Sequence, residues 1–594
     1  MPYRPNFTLD HVAAVFTDPD LASTLSNSLI VAVLTALLGC ALAYAAALVT
    51  ARSNLSPVSK RIVDSVSGAI NAVPGMVLGI AFLFAFSGTP IQGTFVILIV
   101  CNVVHYFATP YQMMKDSLTK MNASWETTAK LMGDSWWKAI VRVVTPNAWP
   151  TILQVFGYYF VSAMVTISAV VFLTGAHTMV ITTKISSLQH LAEFDSIFAL
   201  SLGILVINLA VKGLIALLTR DRSARTARKS IRMRGTGRSD QSLTQGLLGQ
   251  PEPPNNRGLV VAGVVVVAVL AVATFAGLTR PGEGEATAPA EGQVVIASNA
   301  DEEALVAYRN ALDAAGYEGQ YVIQSFGTSE LGGKLLAEGT NLEADVITMS
   351  SYYVDSAEDQ NAMFAELTDV EAVPLDEMTP AWRAPAQAQE GAIFYNTEVL
   401  ASEGLPVPTS LRDLADPVYE GMVSLPDITG SSTAWLLIQA LVDAYGEAEA
   451  QEILTGIYRN AGPYLSQSGS APIKNVRAGE VAIGFGLRHQ ALADKAEGLP
   501  IEVVDPAEGT YSLTESVAVV DKGGATNPLA QEMAAAIIDG GRAELMQTYA
   551  KTLYEGEVPA DNTPADQREF PEPLTVGLLE RHQELSEAAK RAAA

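Results

Sequence analysis

Six apolar stretches in the first half of the chain constrain its fold more than any other feature of the sequence. They cover roughly residues 28–50, 66–87, 91–111, 151–174, 195–218 and 258–279. The last contains LVVAGVVVVAVLAVATFAGL, which carries no charged residue. A helix that crosses a bilayer needs about 20 mostly apolar residues. The first half is therefore predicted to be an all-α membrane domain with about six transmembrane helices.

Polar residues interrupt two of these stretches. Asn71 and Pro74 lie in the second stretch, and Asn102 and His105 lie in the third. Polar side chains that face lipid cost free energy, so these are predicted to face protein or a water-filled path. Hydrogen bonding between packed helices is the alternative for each of them.

The distribution of Lys and Arg predicts the orientation of the helices. Residues 219–257 include RDRSARTARKSIRMRGTGRSD, and such basic loops stay in the cytoplasm. The basic loops at 51–62 and 112–150 belong on the same side, whereas 88–90 and 175–194 fall outside. Both the N-terminus and everything after the last helix are then outside the cell. We expect a further helix to be supplied upstream or by a partner chain, and we expect no cleaved secretory signal at the start of this sequence.

The second half of the chain differs in composition. It carries most of the acidic residues behind the net charge of −26, which arises from 63 Asp and Glu against 37 Lys and Arg. Nucleic-acid binding requires clustered Lys and Arg, so this composition argues against such a partner. The cysteines, Cys40 and Cys101, lie in apolar stretches of the first half. A disulfide framework or cysteine-based metal site is therefore excluded in the second half.

The long cytoplasmic loop reads SWETTAKLMGDSWWKAIVRVVTPNAWP and predicts two short helices joined by a sharp turn. Glu126 and Ala129 lie in the first helix, and Gly133 permits the turn because it lacks a Cβ atom. The second helix carries the candidate docking residues Trp136 and Trp137 and is expected to end at Pro146. An exposed apolar knuckle between two helices suits docking into a groove of a cytoplasmic protein. An ordinary surface loop is the alternative.

This loop resembles the EAA coupling loop of ABC importer permeases. Glu126, Ala129, Gly133 and Pro146 stand at the spacing of that family, whereas the two threonines after Glu126 replace its more usual Glu and Ala. The strings AVPGMVLGIAF and TISAVVFLTG extend the likeness to permeases for ferric iron, thiamine, polyamines and 2-aminoethylphosphonate. Together the matches cover most of residues 5–218.

This resemblance implies a multi-pass importer subunit in a bacterial plasma membrane, with no enzyme activity of its own. The implied partners are a cytoplasmic ABC ATPase dimer, which binds ATP and Mg, and a second permease copy or a homologous permease. The chain has no phosphate-binding loop of the form G-x-x-x-x-G-K-[ST], since the nearest string, GTSELGGKL, has the wrong spacing. We therefore expect no cofactor and no catalytic residue in the chain itself.

Beyond the last apolar stretch, short strands alternate with helices. QVVIASN, QYVIQSF and ADVITMS are predicted strands, and DEEALVAYRNALDAAG and GTSELGGKLLAEG are the helices between them. This alternation predicts an α/β fold with a parallel sheet. Ligands of such folds bind beyond the carboxyl ends of the strands, so the turns there are candidate ligand-binding segments.

Those turns are rich in small hydroxyl residues. Ser and Thr at helix starts leave backbone N–H groups available to an anion, although a plain helix cap explains each turn as well. Arg488 adds a guanidinium group that suits a phosphonate, with a surface salt bridge as its alternative. The candidate ligand-binding residues are Ser298, Asn299, Ser325, Gly327, Thr328, Ser350, Ser351, Tyr352, Thr429, Gly430, Ser431, Ser432, Ser470 and Arg488.

The second half resembles type II periplasmic-type solute-binding proteins over about residues 292–560, through strings such as SNADEEALVAY, SSTAWLLIQAL and IKNVRAGEVAIGFGLRHQA. The resemblance implies a two-lobed fold, and its ferric iron and 2-aminoethylphosphonate members are the most similar. Ferric members hold the metal partly with a Tyr pair where this chain has Arg488 and His489, so no metal site is expected. Tyr352 and Tyr353 would point to opposite faces of a strand.

The prediction divides the chain into five segments. They are a permease domain at 1–218, a basic cytoplasmic linker at 219–257, an additional transmembrane helix at 258–280, an extracytoplasmic linker at 281–291 and a solute-binding domain at 292–594. The predicted function is ATP-driven import of a small oxyanion such as 2-aminoethylphosphonate. Ferric iron is an alternative cargo, as is a polyamine held by Asp355, Glu515 and Trp435. A receptor that binds solute without transporting it is a further alternative.

Overall fold

The structure is a computed structural model of the chain. It describes residues 10–53, 55–176, 178–191, 193–219, 293–559, 562–564 and 566–594. The predicted helix at 258–280, the basic linker beyond residue 219 and the linker at 281–291 lie outside the described residues.

Helices make up the described part of the first half. They are α1 (Asp10–Thr17), α2 (Pro19–Arg52), α3 (Pro57–Asn71), α4 (Gly75–Phe86), α5 (Phe95–His105), α6 (Ala108–Lys120), α7 (Ser124–Leu131), α8 (Trp136–Ala139), α9 (Thr145–Val165), α10 (Ile181–His190) and α11 (Phe194–Thr219). A π turn at Ile140–Val144 joins α8 to α9.

Helix α2 packs against several other helices of the membrane half. It begins where the side chain of Asp18 accepts backbone N–H groups of the first turn, and it ends at Arg52. Small residues let membrane helices approach closely, and α6 and α9 pack along the alanine-rich face of α2. Gly39 of α2 lies directly against the ring of Tyr159 on α9. The alanines of this face are fully buried at Ala32, Ala36, Ala43 and Ala47.

Among the described residues, α2 and α11 are long and apolar enough to cross a membrane, and two bent helix pairs qualify if each is one span. The predicted continuous helix at 66–87 is wrong, because α3 and α4 meet at 105° beside Pro74, whose ring disfavours continuation of the preceding helix. The predicted span at 91–111 is also broken, since α5 and α6 meet at 55°. The described residues thus hold two to four candidate spans. The predicted count of six is not confirmed, and the sixth predicted span lies outside the described residues.

The two ends of α2 mark opposite faces of the membrane half. Near its start, the carboxylate of Asp20 pairs with Lys184 at 2.5 Å. At its other end, Nε of Arg52 lies 3.3 Å from the carboxylate of Glu126. A helix of 34 residues is about 50 Å long, so the loops predicted outside lie far from the loops predicted in the cytoplasm. This separation fits loops on two sides of a membrane, and which side is cytoplasmic stays a prediction.

The second half alternates strands and helices. The strands are β1 (Val294–Ser298), β2 (Tyr321–Ser325), β3 (Val346–Ser350), β4 (Phe364–Ala365), β5 (Arg383–Asn396), β6 (Val423–Pro426), β7 (Leu465–Ser466), β8 (Ile483–Leu487), β9 (Ile501–Val504), β10 (Thr510–Val520) and β11 (Gln567–Arg568). The helices are α12 (Glu302–Ala314), α13 (Thr328–Glu338), α14 (Ser351–Asn361), α15 (Thr397–Glu403), α16 (Thr433–Tyr445), α17 (Glu447–Ala461), α18 (Ala471–Ala478), α19 (Arg488–Ala496), α20 (Leu529–Ala535), α21 (Arg542–Thr548) and α22 (Val576–Ala593).

The strands form one mixed sheet with the order β2-β1-β3-β10-β5-β8-β6-β7. Strand β1 pairs in parallel with β2 and β3, and β6 pairs in parallel with β7 and β8. Between these groups, the long strands β5 and β10 pair antiparallel. The predicted α/β alternation is confirmed, whereas the parallel arrangement holds only within each group. We call β1–β3 with their helices the first lobe, and β6–β8 with their helices the second lobe.

Helix α22 closes the core of the second lobe. Trp435 on α16 is fully buried, and its indole N–H donates to Nδ1 of His582 on α22 at 2.6 Å. The hydroxyls of Tyr458 and Ser586 share a second hydrogen bond of 2.6 Å between α17 and α22. Burial, together with the nearby charge of Arg581, lowers the pKa of His582 to about 4.

The depressed pKa of His582 predicts a loss of stability in acid. Below the ordinary pKa of 6.5 the unfolded chain binds a proton that the folded chain resists, so stability falls from about pH 6.5 to about pH 4. The His582→Gln variant keeps an acceptor for Trp435 and should lose about 1–3 kcal/mol less over this range. Urea unfolding of the solubilised protein at pH 7 and pH 4.5 measures the difference. Parallel pH profiles for the two proteins would contradict the assignment.

The two faces of the membrane half can be tested by labelling. Met132 on the cytoplasmic loop is 76% exposed, Ala448 at the start of α17 is exposed, and both native cysteines are buried. An impermeant maleimide added to intact cells should label Ala448→Cys rapidly and Met132→Cys slowly, because the bilayer shields the second position. Permeabilised cells should label both. Rapid labelling of Met132→Cys in intact cells would overturn the topology.

Candidate functional site

The carboxyl ends of β1, β2 and β3 bring three of the predicted hydroxyl-rich turns together. Ser298 and Ser325 are register partners on neighbouring strands. The side-chain amide of Asn299 donates to Oγ1 of Thr328 at 3.0 Å, which links the first turn to the start of α13. Ser351, after β3, shares a hydrogen bond of 2.7 Å with a serine of β10. The predicted residues of the first lobe therefore lie along one edge of the sheet.

The turns of the second lobe meet this edge. The hydroxyl of Ser329 donates to the backbone carbonyl of Thr429 at 2.8 Å, across the two lobes. A Cβ atom on Gly327 would lie 3.8 Å from the carbonyl oxygen of Gly430. Ser431 and Ser432 are buried behind this contact, at the start of α16. The predicted turns of the two lobes thus meet where the lobes contact each other, and we call this place the cleft.

Three hydroxyl groups of the cleft are buried and keep unused hydrogen-bonding capacity. They belong to Ser325, Ser350 and Tyr352, and none makes a well-formed hydrogen bond to a described residue, although the Tyr352 hydroxyl lies near Ser350. Buried polar groups normally have partners, so their arrangement suits a ligand with several acceptor atoms. The expected strand position of Tyr352 and Tyr353 is wrong, because α14 begins at Ser351 and both rings are buried with centroids 4.7 Å apart.

A buried acidic side chain lies beside one of these hydroxyls, that of Ser350. Glu515 on β10 is the register partner of Ser350 on β3, and it accepts hydrogen bonds from Gln387 at 2.7 Å and Gln389 at 3.3 Å. Burial, and then the negative charge of Asp301, raises the pKa of Glu515 to about 8. Within the described ranges, no Lys or Arg forms an ion pair with it. A raised pKa favours the protonated acid near neutral pH, and a cationic group on a ligand would favour its ionised form.

An acid–histidine cluster bridges the two lobes. Nε2 of His489 lies 3.4 Å from Asp301 and 3.9 Å from Glu303. Although burial opposes a charged imidazole, the two carboxylates raise the pKa of His489 to about 9. The three side chains place ligand atoms within 4.8 Å of one another, and these are donor types that bind metal cations. Gln490 next to it donates to Ser470 at 3.0 Å.

The acids of this cluster, Asp301 and Glu303, were not identified as site residues from the sequence. Asp301 accepts the backbone N–H of Ala304 and caps α12, so in the sequence it resembles an ordinary capping residue. The acidic run after Asn299 in SNADEE was the signal that could have identified it. The distance in sequence to His489 hid the pairing.

Arg488 does not face the hydroxyl-rich turns as predicted. Its guanidinium contacts both carboxylate oxygens of Asp505, at 2.7 and 3.2 Å, and donates to the backbone carbonyl of Asn562. Of the two readings, the structure shows the salt bridge. A bidentate partner satisfies the donors that a phosphonate would otherwise use.

The predicted polyamine contacts also lie elsewhere, except for Glu515. Asp355 is paired with Arg383 at 2.7 Å. Trp435 is fully buried, and its indole N–H donates to His582. Neither Asp355 nor Trp435 is therefore available to contact a polyamine.

The predicted docking loop forms at the other end of α2. Helix α7 carries Glu126 and Ala129, and the carbonyl of Ala129 closes the following turn by accepting from a backbone N–H at 2.8 Å. Gly133 has a φ of +79°, which favours glycine. Trp136 packs partly on the membrane core, whereas Trp137 is 67% exposed. With exposed Leu131 and Met132, these residues form the apolar knuckle expected of a docking surface.

Pro146 does not end the second short helix. The chain continues from α8 through the π turn at Ile140–Val144 into α9, and Pro146 is the second residue of α9. A π turn replaces the regular hydrogen-bond pattern just before the proline, which cannot donate a backbone hydrogen bond. The knuckle is therefore joined without a break to a helix of the membrane core.

Two family models match separate parts of the chain. Residues 39–223 match the model described as a binding-protein-dependent transport system inner membrane component. Residues 344–575 match the model described as a bacterial extracellular solute-binding protein. The chain thus joins a permease-type membrane domain to a solute-binding domain.

Relatives cover the permease region. An uncharacterized protein of Haemophilus influenzae is 33% identical over 191 residues, which are 30% of this chain and 53% of that protein. The ferric transport system permease protein FbpB of Actinobacillus pleuropneumoniae is 29% identical over 195 residues, which are 32% of this chain and 28% of that protein. The chain therefore spans about half the length of the first relative and under a third of the second.

Solved structures of other proteins match about half of this chain. The periplasmic binding protein AfuA from Actinobacillus pleuropneumoniae, with fructose-6-phosphate bound, is 23% identical with a TM-score of 0.40, over 51% of this chain and 97% of that one. Iron-bound HitA from Pseudomonas aeruginosa is 19% identical with a TM-score of 0.39, over 51% of this chain and 99% of that one.

The docking loop generates a prediction about energy coupling. Gly133→Asp changes the turn, and Glu126→Lys places a like charge beside Arg52, so both variants should lose solute uptake while solute binding by the purified chain stays unchanged. Gly498→Asp is a matched control, because Gly498 also has a positive φ and open space around it, but lies in the second lobe. Normal uptake by Gly133→Asp and Glu126→Lys would show that the loop is only structural.

Proposed function

We propose that this chain is the membrane subunit of an ATP-driven importer that carries its own solute receptor. Its cargo is a small zwitterion with an oxyanion and an amine, such as 2-aminoethylphosphonate. ATP is hydrolysed by a separate cytoplasmic ATPase, and a second permease completes the transport path. The receptor half lies outside the cell.

The exposed knuckle supports the transport role. A protein that sensed solute without moving it would have no use for an apolar loop that offers Trp137 to a cytoplasmic partner. The knuckle is continuous with α9, and α9 packs on α2, so movement of a docked ATPase can reach the membrane core. The two family matches favour the same assignment.

The proximity of the Ser350 hydroxyl, which has unused hydrogen-bonding capacity, to the buried acid Glu515 carries the cargo proposal. Ser350 and Tyr352 can donate to the oxygens of a phosphonate, which charge-assisted hydrogen bonds stabilise. Glu515 pairs with Ser350 across the sheet, so an amine two carbons away from the phosphonate can meet its carboxylate. An inorganic oxyanion alone would offer this acid no cationic partner.

A cationic cargo is the second candidate. It is favoured by the cluster of Asp301, Glu303 and His489, whose donor atoms suit a metal ion. The relative named a ferric transport permease favours it for the membrane half. This candidate requires a deprotonated imidazole, which the paired carboxylates oppose.

Titration calorimetry of the solubilised chain with 2-aminoethylphosphonate, phosphate and Fe(III)-citrate tests the cargo. Ser350→Ala should weaken 2-aminoethylphosphonate binding about ten- to hundredfold, because a hydrogen bond to a charged group contributes about 1.5–3 kcal/mol. Glu515→Gln should weaken 2-aminoethylphosphonate more than phosphate, since only the former has an amine. Ser402→Ala, on the exposed surface of α15, is the matched control and should bind normally.

Two results would contradict the cargo proposal. Tight binding of Fe(III) with no response to the phosphonate would move the cargo to the cationic class. Equal losses for phosphate and 2-aminoethylphosphonate in Glu515→Gln would show that the carboxylate does not recognise an amine.

A further inference from the structure

The end of α13 and the turn after it contact two loops of the permease half. The side-chain amide of Gln92 donates to Glu338 at 2.6 Å and to the carbonyl of Asn341 at 3.0 Å. The ammonium group of Lys334 donates to the carbonyl of Phe172 at 3.1 Å. These loops, at 88–94 and 172–176, overlap the connectors at 88–90 and 175–194 that are predicted to lie outside the membrane, on the side of the receptor.

A shape match accompanies these hydrogen bonds. The carboxylate of Glu343 accepts the backbone N–H of Ala176 at 2.8 Å. A Cβ atom added to Gly175 would lie 2.0 Å from Oε2 of Glu343, so any larger residue at 175 would displace that carboxylate. Gly175 does not have a positive φ, so the backbone does not require glycine there. The absence of a side chain at 175 is therefore explained by the contact.

The contact has the composition of a surface that binds reversibly. Lys334 and Glu338 are buried as an ion pair at 3.0 Å, and a recess of about 20 Å³ lies between them and apolar permease residues such as Leu83 and Phe172. Interfaces between domains of one chain are more polar and less tightly packed than a domain core. The second lobe adds a hydrogen bond of 2.6 Å from Lys474 to the carbonyl of Leu191.

Helix α13 links this contact to the cleft. Its first turn carries Thr328 and Ser329, which bond to Asn299 in the first lobe and Thr429 in the second lobe. Its last turn carries Glu338, which bonds to the permease. A helix of 11 residues spans about 16 Å, so one rigid element touches both the ligand-binding turns and the membrane half.

We propose that Lys334, Glu338, Asn341 and Glu343 form a docking surface of the first lobe, and that its partner is the pair of outer loops at 88–94 and 172–176 of the same chain. The receptor half thus docks in cis on the permease half of the same chain, and the carboxylate of Glu343 lies against Gly175. The role of this docking in transport rests on the proposed import function, whereas the docking contact itself does not depend on it.

Cross-linking of the full chain in nanodiscs tests the docking. Gln92→Cys and Asn341→Cys, joined by a short bis-maleimide, should give a monomeric product. Gly175→Ala and Glu343→Ala should each slow the reaction about tenfold, because each removes the charge-assisted hydrogen bond to Ala176. The double variant should be no slower than either single one, since both changes remove the same contact.

Glu318→Ala is the matched control, because it removes an exposed acid of the first lobe away from this contact and should cross-link at the original rate. Additive losses in the double variant, or unchanged rates in both single variants, would overturn the role of Glu343 and Gly175. A dimeric product between chains that carry one cysteine each would overturn docking in cis. Cross-linking needs neither ATP nor solute, so this result and the failure of solute binding are distinguishable.

Discussion

The pairing of β5 with β10 is the interaction on which the second half depends. These strands run antiparallel between two groups of parallel strands, so they join the lobes and also supply the floor between them. Their register shifts between Glu515 and Ser516, and such a bulge re-aims the neighbouring side chains. Glu515 lies at this point, paired with Ser350 on one side and Gln387 on the other. The bulge therefore determines where a buried carboxylate meets the hydroxyl groups.

In the membrane half, α2 has the corresponding role. Its alanine face lets α6 and α9 approach closely, and its two ends hold different partners, Lys184 at one and Glu126 at the other. The receptor contacts the loops near the first end, and the knuckle lies near the second. Both halves are thus organised by an element that reaches from one functional surface to another.

Local patterns in the sequence predicted the elements better than their junctions. The alternation of strands and helices, the turn at Gly133 and the hydroxyl-rich turns are properties of short segments, and they were visible without a structure. The break at Pro74 and the continuation past Pro146 show why junctions are harder. The same residue type ends a helix in one place and follows a π turn in the other, because the neighbouring backbone decides what the ring displaces.

The composition of the cleft was harder to predict than its position. Arg488 was expected to meet an anion, but the fold brings Asp505 to it, and this carboxylate accepts hydrogen bonds from two of its three nitrogens. Asp301 and His489 are far apart in sequence and meet only because the two lobes close on each other. Pairing between distant charges depends on the tertiary structure, so residue type alone does not say whether a charge is available to a ligand.

The unbroken path from α8 through the π turn into α9 has a mechanical consequence. A force applied at Trp137 is transmitted to α9, because helical hydrogen bonds continue from the knuckle into α9. The ring of Tyr159 on α9 is wedged against Gly39 of α2, so α9 cannot slide past α2 without carrying it along. The first movement transmitted to the core of the membrane half should therefore be a tilt of α2 and α9 together as one rigid pair.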